Sequence, residues 1–292
     1  MNNKILEYDF RKEYEALGFE IVQLEYFIEQ QAEIDRITPH RLNFYAIIYI
    51  TQGEGTHSID FKTISFSKGS LIFVGKNQVH AWQKENNSEG FVIFFTEQFL
   101  YKNQIQFNDL SYGYPYNHNL YSPIIETSDN ENSTIFSLLI SLLFKEYSTF
   151  FNALQEETLQ CLLRVLILKI QSSTNPLGES YSSEAKNLFI DFQKQLDQNI
   201  SLTRNALDYC RMLNVSYHQL NKAIKTLTKK TIKAYIDDVL ILHAKRLLAD
   251  GSNNTSEVSY ELGFEEPSNF TKFFKKHTGK TPKSFRAKLQ EN

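Results

Sequence analysis

The sequence predicts a two-domain α+β protein: an antiparallel β-barrel with a helical hairpin, then an all-α module with two helix-turn-helix units. Three observations predict it. The chain has 292 residues, well beyond the ~150 of a typical single domain. Its apolar pattern changes from short strand-like runs to helical spacing after Asn130. The charge divides as well: residues 1–175 carry 13 Lys and Arg against 21 Asp and Glu, whereas residues 176–292 carry 18 against 13. From Ser201 onward 16 basic residues face 9 acidic ones, so the last third is a cationic module suited to a polyanion.

The composition, 41% hydrophobic, 22% charged and 14% aromatic, is that of a globular chain and excludes a fibrous or disordered one. The most apolar segment, Leu159 to Ile170, is interrupted by Cys161, Arg164 and Lys169, so no membrane partner is expected. Lys4, Glu7, Asp9, Arg11, Lys12 and Glu13 break up the first residues and leave no export signal. Cys161 and Cys210 form neither a disulfide framework nor a zinc pattern, which makes a reducing cytoplasm the expected location.

Short strands are expected from Phe19 to about Phe95. Phe44 to Ile50 is a β-branched and aromatic run closed by Gln52-Gly53-Glu54-Gly55, a hairpin signal. Thr56 to Phe66 alternates roughly, with Ile59, Phe61, Ile64 and Phe66 as its apolar members. Leu71 to Val74 and Phe91 to Phe95 are further strands, set off by Gly and Asn turns in the manner of an antiparallel barrel or sandwich. Two amphipathic helices follow, carried by Ile135, Leu138, Leu139, Leu142, Leu143 and Tyr147, then by Leu159, Leu162, Leu163, Leu166, Ile167 and Ile170. The stretch from Ser172 through Pro176 and Gly178 to Ser183 is a linker by composition.

Beyond it one layout occurs twice. A short helix over Asn205–Asn214 turns at Val215-Ser216 into a second over Tyr217–Thr226. Val258–Leu262 likewise turns at Gly263-Phe264 into Pro267–His277. Each is a helix-turn-helix, whose second helix enters the major groove of DNA. Ser216 and Ser268 mark the two units, 52 residues apart, and the helix Ile232–Asp250 between them is long enough to hold both on one face of a duplex.

The residues Thr255 to Phe264, Pro267 to Lys276 and Thr278-Gly279-Lys280-Thr281-Pro282-Lys283-Ser284-Phe285-Arg286 closely resemble the second helix-turn-helix of the AraC/XylS family of bacterial transcription regulators. The chain departs from that family's pattern at Asn214 and Lys230, where Gly is usual, at Leu240, where Arg is usual, and at Ser259, where Ala is usual. Pro39-His40, Gly53-x-Gly55 and Lys68-Gly69 leading to Gln78-Val79-His80-Ala81-Trp82 are similar to the cupin-like sensing and dimerisation arm of such regulators. The resemblance implies a cupin-like domain at 1–172, a linker at 173–183 and a DNA-binding domain at 184–292. It also implies double-stranded DNA, a small-molecule effector and a second copy of the chain as partners, with RNA polymerase as a further partner class and activation among the modes of regulation.

On the first reading helix His218, Asn221 and Lys222 share one face, while Leu220 and Ile224 point to the core; Asn pairs bidentately with adenine and Lys reaches guanine acceptors. Ser268, Asn269, Thr271 and Lys272 occupy the corresponding surface of the second, with Phe270, Phe273 and Phe274 largely inward. Ser216 reads as an N-cap, and Lys225, Lys275 and Lys276 as phosphate partners. In the front half His40, Tyr45, Tyr49, His80 and Trp82 either line an effector pocket or simply pack the barrel. His40, His57 and His80 are the candidate metal ligands, but the His-x-His pair of metal cupins is missing, so neither a metal nor a cofactor is expected. Neither a Gly-x-Ser-x-Gly motif nor a phosphate-binding glycine loop is present, and an enzyme is not expected. The other readings are a cupin-type enzyme joined to a DNA-binding module, and a ligand-independent regulator whose front half only dimerises. Leu159, Leu162, Leu163, Leu166 and Ile170 form the stripe expected either at a dimer seam or against the barrel itself.

Overall fold

The computed structural model describes residues 7–8, 17–30, 39–82, 88–101, 112, 115–127, 131–149, 154–173 and 183–291. They belong to two compact units, Glu7–Pro176 and Leu177–Asn292, a division that falls within the expected linker, most of which lies outside the described residues.

The front unit runs β1 (Glu7–Tyr8), β2 (Phe19–Gln23), α1 (Leu24–Gln30), β3 (His40–Leu42), β4 (Tyr45–Gln52), β5 (Gly55–Ile59), β6 (Lys62–Phe66), β7 (Ser70–Val74), β8 (Val79–Trp82), β9 (Glu89–Phe95), α2 (Glu97–Tyr101), β10 (Ile124–Glu126), α3 (Glu131–Ser148) and α4 (Gln155–Ser173). Two five-stranded sheets form, ordered β1-β3-β8-β5-β6 and β10-β7-β4-β9-β2. All pairings are antiparallel except the two-residue β1–β3 pair. The alternating segment Thr56–Phe66 is two strands, not one. Asp60 and Phe61, at φ +48° and +65°, make a two-residue turn of the kind that hairpins favour. No Gly or Asn announces it; the Asp60 carboxylate holds it by accepting from Gln78 Nε2 at 2.9 Å and from the Val79 N–H at 3.3 Å.

Strand β4 is buried on both faces, which explains its unbroken apolar run. Ala46, Ile48 and Ile50 pack with Ile72, Val74, Val92 and Phe94 against Leu42, Ile59, Phe66 and Trp82 of the facing sheet. Tyr45, Ile47 and Tyr49 point the other way, into a second core with Phe73, Phe95 and the inner faces of α3 and α4.

The regular elements of the rear unit among its described residues are all helices: α5 (Ser183–Asn199), α6 (Ala206–Met212), α7 (Tyr217–Thr228), α8 (Ile232–Asp250), α9 (Thr255–Glu261), α10 (Pro267–Thr278) and α11 (Pro282–Glu291). Side-chain N-caps start α6, α7, α8 and α9. Asn205 caps Leu207 N–H, Ser216 forms a capping box with Gln219, Thr231 caps Ala234 N–H, and Asn254 forms a second box with Glu257. Helix α8 is the central strut, with Ile232, Ile236, Leu240, Ala244 and Leu248 fully buried. Helix α11 is tied to it by Arg286, which donates to the carbonyls of Leu248 and Asn253 at 3.0 and 2.6 Å.

Candidate nucleic-acid interface and effector pocket

Both helix-turn-helix units close with the same three backbone hydrogen bonds. In the first, the N–H groups of Leu213, Asn214 and Val215 donate to the carbonyls of Tyr209, Arg211 and Cys210 at 3.0, 3.1 and 3.0 Å. In the second, Leu262, Gly263 and Phe264 donate to Val258, Tyr260 and Ser259 at 3.1, 2.9 and 3.0 Å. The pivot is left-handed in each, Asn214 at φ +53° and Gly263 at +73°, a conformation that Asn tolerates better than other side chains. Asn214 thus stands at the turn glycine's position. The later departure is placed differently from the expectation: the left-handed residue that ends α7 is Lys229, not Lys230, and its counterpart ending α10 is Gly279. The second turn is also one residue longer, because α7 starts three residues after Asn214 and α10 four after Gly263. Ser216 therefore corresponds to Glu266 as N-cap and not to Ser268.

With the helix starts Tyr217 and Pro267 aligned, His218 matches Ser268, Asn221 matches Thr271, Lys222 matches Lys272 and Lys225 matches Lys275. Leu220 and Ile224, like Phe270 and Phe274, are fully buried, so the packing turns the intervening polar positions outward. His218, Lys222, Lys225, Ser268, Asn269, Lys272, Lys275 and Lys276 are exposed. Phe273 is half-buried, packed between Phe264 and His277. Lys222, Lys225, Lys272, Lys275 and Lys276 form no ion pair among the described residues, whereas Lys230 and Lys233 are taken up by Asp238 and Asp237 at 2.6 and 2.7 Å.

Two expected readers have other engagements. The Asn221 Oδ1 accepts the Ile232 N–H at 3.2 Å, satisfying a donor at the start of α8 that the helix itself leaves unpaired, which ties the carboxamide to the protein's own backbone. The Thr271 hydroxyl donates to the Pro267 carbonyl at 3.0 Å. Gln219, which matches Asn269, faces outward but spends its amide oxygen on the Ser216 N–H and hydroxyl. Tyr217, exposed beside His218, escaped the sequence reading because an aromatic at a helix start reads as a packing residue.

The expected effector pocket does not converge on one place. His40, His80 and Trp82 lie on the inner face of the first sheet, but Tyr45 and Tyr49 are on the opposite face of the second, inside the helix-covered core. Tyr45 is engaged there, donating to Glu97 Oε1 at 2.7 Å and packing on Phe95 and Tyr116. His57, a metal candidate by sequence, joins the inner set: its Nε2 lies 3.3 Å from His80 Nδ1, and its ring packs edge-on to Trp82. The His40 and His80 rings are 4.2 Å apart. Burial, with the nearby His40 ring, lowers the His57 imidazole to about 3 and drives His80 well below its ordinary value, so both are neutral at pH 7. The outer nitrogens, His57 Nδ1 and His80 Nε2, have no partner among the described residues. No group of three or more metal-ligating side chains is arranged to hold an ion among the described residues. His118, which the sequence reading passed over, binds Gln78 Nε2 through Nδ1 at 2.9 Å.

The expected dimer stripe is core. Leu159, Leu163, Leu166 and Ile170 are 0% exposed and pack on the sheet, and Leu162 packs against the same cluster. Helical periodicity identifies an apolar face without saying what covers it. The residues left outside are Leu138 and Leu142 on α3, and Cys161, Val165 and Leu168 on α4.

Two matched helix-turn-helix units with cationic second helices, in a chain that also carries a double-sheet domain, define a DNA-binding transcription regulator. A profile described as an AraC-like ligand binding domain matches residues 23–163, and one described as a helix-turn-helix domain matches residues 209–288. The chain belongs to the AraC family of transcription regulators, which is not a family of enzymes. It is 21% identical over 253 residues to the HTH-type transcriptional activator RhaR of Mannheimia succiniciproducens, covering 86% of this chain and 87% of that protein. It is 29% identical over 114 residues to the Msm operon regulatory protein of Streptococcus mutans, a match that spans only 41% of that protein's length. Among solved structures, ToxT from Vibrio cholerae O395 aligns at a TM-score of 0.47 and 15% identity, covering 94% of this chain and 99% of that one. No helix among the described residues is long and apolar enough to cross a membrane.

Proposed function

We propose that the protein reads a two-part duplex site with α7 and α10, under the control of a small molecule held between the two sheets of the front unit. The matched exposure of the two helices supports this most directly: equal helical positions carry His218 and Ser268, Lys222 and Lys272, and Lys225 and Lys275. His218, Lys222, Ser268, Asn269 and Lys272 contact base edges, with the Asn221 amide nitrogen and Thr271 at their margin. Lys225, Lys275 and Lys276 contact phosphate and supply affinity without sequence information. The effector lies against His40, His57, His80 and Trp82, where the neutral imidazoles of His57 and His80 offer Nδ1 and Nε2 to an uncharged polar group. It acts by binding two states of the protein with different affinity. A homodimer forms through the exposed face of the hairpin, Leu138, Leu142, Val165 and Leu168. By similarity to RhaR, the mode of regulation is activation, and the site of action is cytoplasmic DNA.

The test is selection from a pool of random duplexes at two salt concentrations, followed by sequencing. Enrichment of two half-sites about one helical turn apart is the expected result. Salt-sensitive binding without an enriched sequence would withdraw the base-reading assignments.

A further inference from the structure

The two helix-turn-helix units touch at Arg204. Arg204 lies between α5 and α6, on a segment made rigid by its neighbours: Thr203 donates to Asp208 at 2.6 Å, Asn205 caps α6, and the Tyr209 hydroxyl donates to the Thr203 carbonyl at 2.8 Å. From there the Arg204 guanidinium crosses to the other unit. It lies 3.8 Å above the Phe264 ring and donates through Nη2 to the Gly263 carbonyl. The backbones meet beside it, since a Cβ on Gly263 would stand 1.9 Å from the Ser201 carbonyl oxygen. The segment that supports the first reading helix therefore grips the turn that launches the second.

We infer that Arg204 is a positioning residue that sets the spacing at which α7 and α10 engage DNA together. Its planar group holds the second turn against the support of the first unit, complementing the strut α8. A rigid pair of reading helices accepts half-sites at one separation, and a loosened pair accepts several with less affinity for the best. The inference rests on the two-part reading proposed above.

The full chain is titrated with duplexes carrying the selected site and with versions whose spacer is changed by one or two base pairs, for wild type, Arg204→Ala and Arg204→Lys. Amide hydrogen exchange at Gly263 and Phe264 is followed in the same proteins without DNA. Wild type is expected to lose affinity steeply as the spacer changes. Arg204→Ala should lose about tenfold at the preferred spacing. It should also flatten the spacing preference and speed exchange at Gly263 and Phe264 relative to α5, with the salt slope unchanged. Arg204→Lys keeps the charge but not the stacked plane, and should resemble Arg204→Ala. Unchanged exchange at the turn, or an intact spacing preference in Arg204→Ala, would overturn the inference. A salt slope lower by about 1 in Arg204→Ala and restored in Arg204→Lys would overturn it in favour of a phosphate contact. If wild type itself shows no preferred spacing, the two-part reading fails instead, and the exchange data alone decide whether the clasp exists.

Discussion

The carboxamide oxygen of Asn221, on the first reading helix, accepts the backbone N–H of Ile232 at the first turn of the central strut, at 3.2 Å. A side chain with the chemistry of an adenine reader thus joins two helices. Asn221→Ala is expected to destabilise the protein by about 1–2 kcal/mol, because it strands a helix-start donor. Asn221→Asp, which keeps the acceptor, should cost much less. Chemical denaturation of the three proteins checks this, and equal losses in both variants would contradict it.

His218→Ala should change which base is enriched at one position of the selected site, whereas Lys225→Ala and Lys275→Ala should weaken all sequences alike. Each lysine variant should lower the salt slope of binding by about 1. Anisotropy titrations across a salt series separate the two behaviours.

The α4 helix divides into a buried and an exposed apolar face, and the two should respond differently to substitution. Leu163→Ala removes a fully buried side chain and should cost about 2–5 kcal/mol of stability without changing the oligomeric state of the folded protein. Val165→Glu and Leu168→Glu act on exposed positions and should leave the melting temperature within a few degrees while breaking a dimer built on this face. Sedimentation and thermal melts together distinguish these outcomes.

His57 and His80 are held neutral in the fold, and the unfolded chain takes up their protons first as the pH falls. Their folded-state values lie below the ordinary 6.5, so their contribution is fully present above that pH. For His57 the contribution is lost as pH falls from 6.5 towards about 3, at up to about 1.4 kcal/mol per pH unit where the unfolded side chain is fully charged. Denaturation at pH values between 7.5 and 4.5 should show stability declining with acid, and His57→Asn should flatten the decline. An unaltered profile in that variant would remove His57 as the cause.

The two turn pivots should differ in tolerance. Gly263→Ala must displace the Ser201 backbone and should cost at least about 2 kcal/mol. At Asn214, where the left-handed conformation is the constraint, Ala should cost about 1 kcal/mol and Gly should lie within about 0.5 kcal/mol of wild type. Urea denaturation of the three variants provides the comparison.

Most of the architecture is legible in the residues, because it depends on patterns a few positions long. The central helix Ile232–Asp250 has the predicted bounds, and the helix-turn-helix pairs stand where Gly263-Phe264 and the Ser and Asn caps mark them. The exposed lysines of both reading helices follow from the buried positions Leu220, Ile224, Phe270 and Phe274 by helical geometry alone. The hairpin at Asp60-Phe61 was hidden, since its left-handed residues are held by contacts with Gln78 and Val79, far along the chain.

The sequence by itself determined the two kinds of domain, the cationic rear module and which helices present polar faces, since periodicity, caps and charge act locally. Only the tertiary structure decided what each apolar or polar face meets. It sent Tyr45 and Tyr49 into the helix-covered core while keeping His40, His57, His80 and Trp82 between the sheets. It covered the Leu159–Ile170 stripe with the sheet, gave the Asn221 amide oxygen to Ile232, and brought Arg204 onto Phe264. Alternation along a strand separates two faces but does not say which of two cores each will enter. That choice is made by packing between segments distant in the chain.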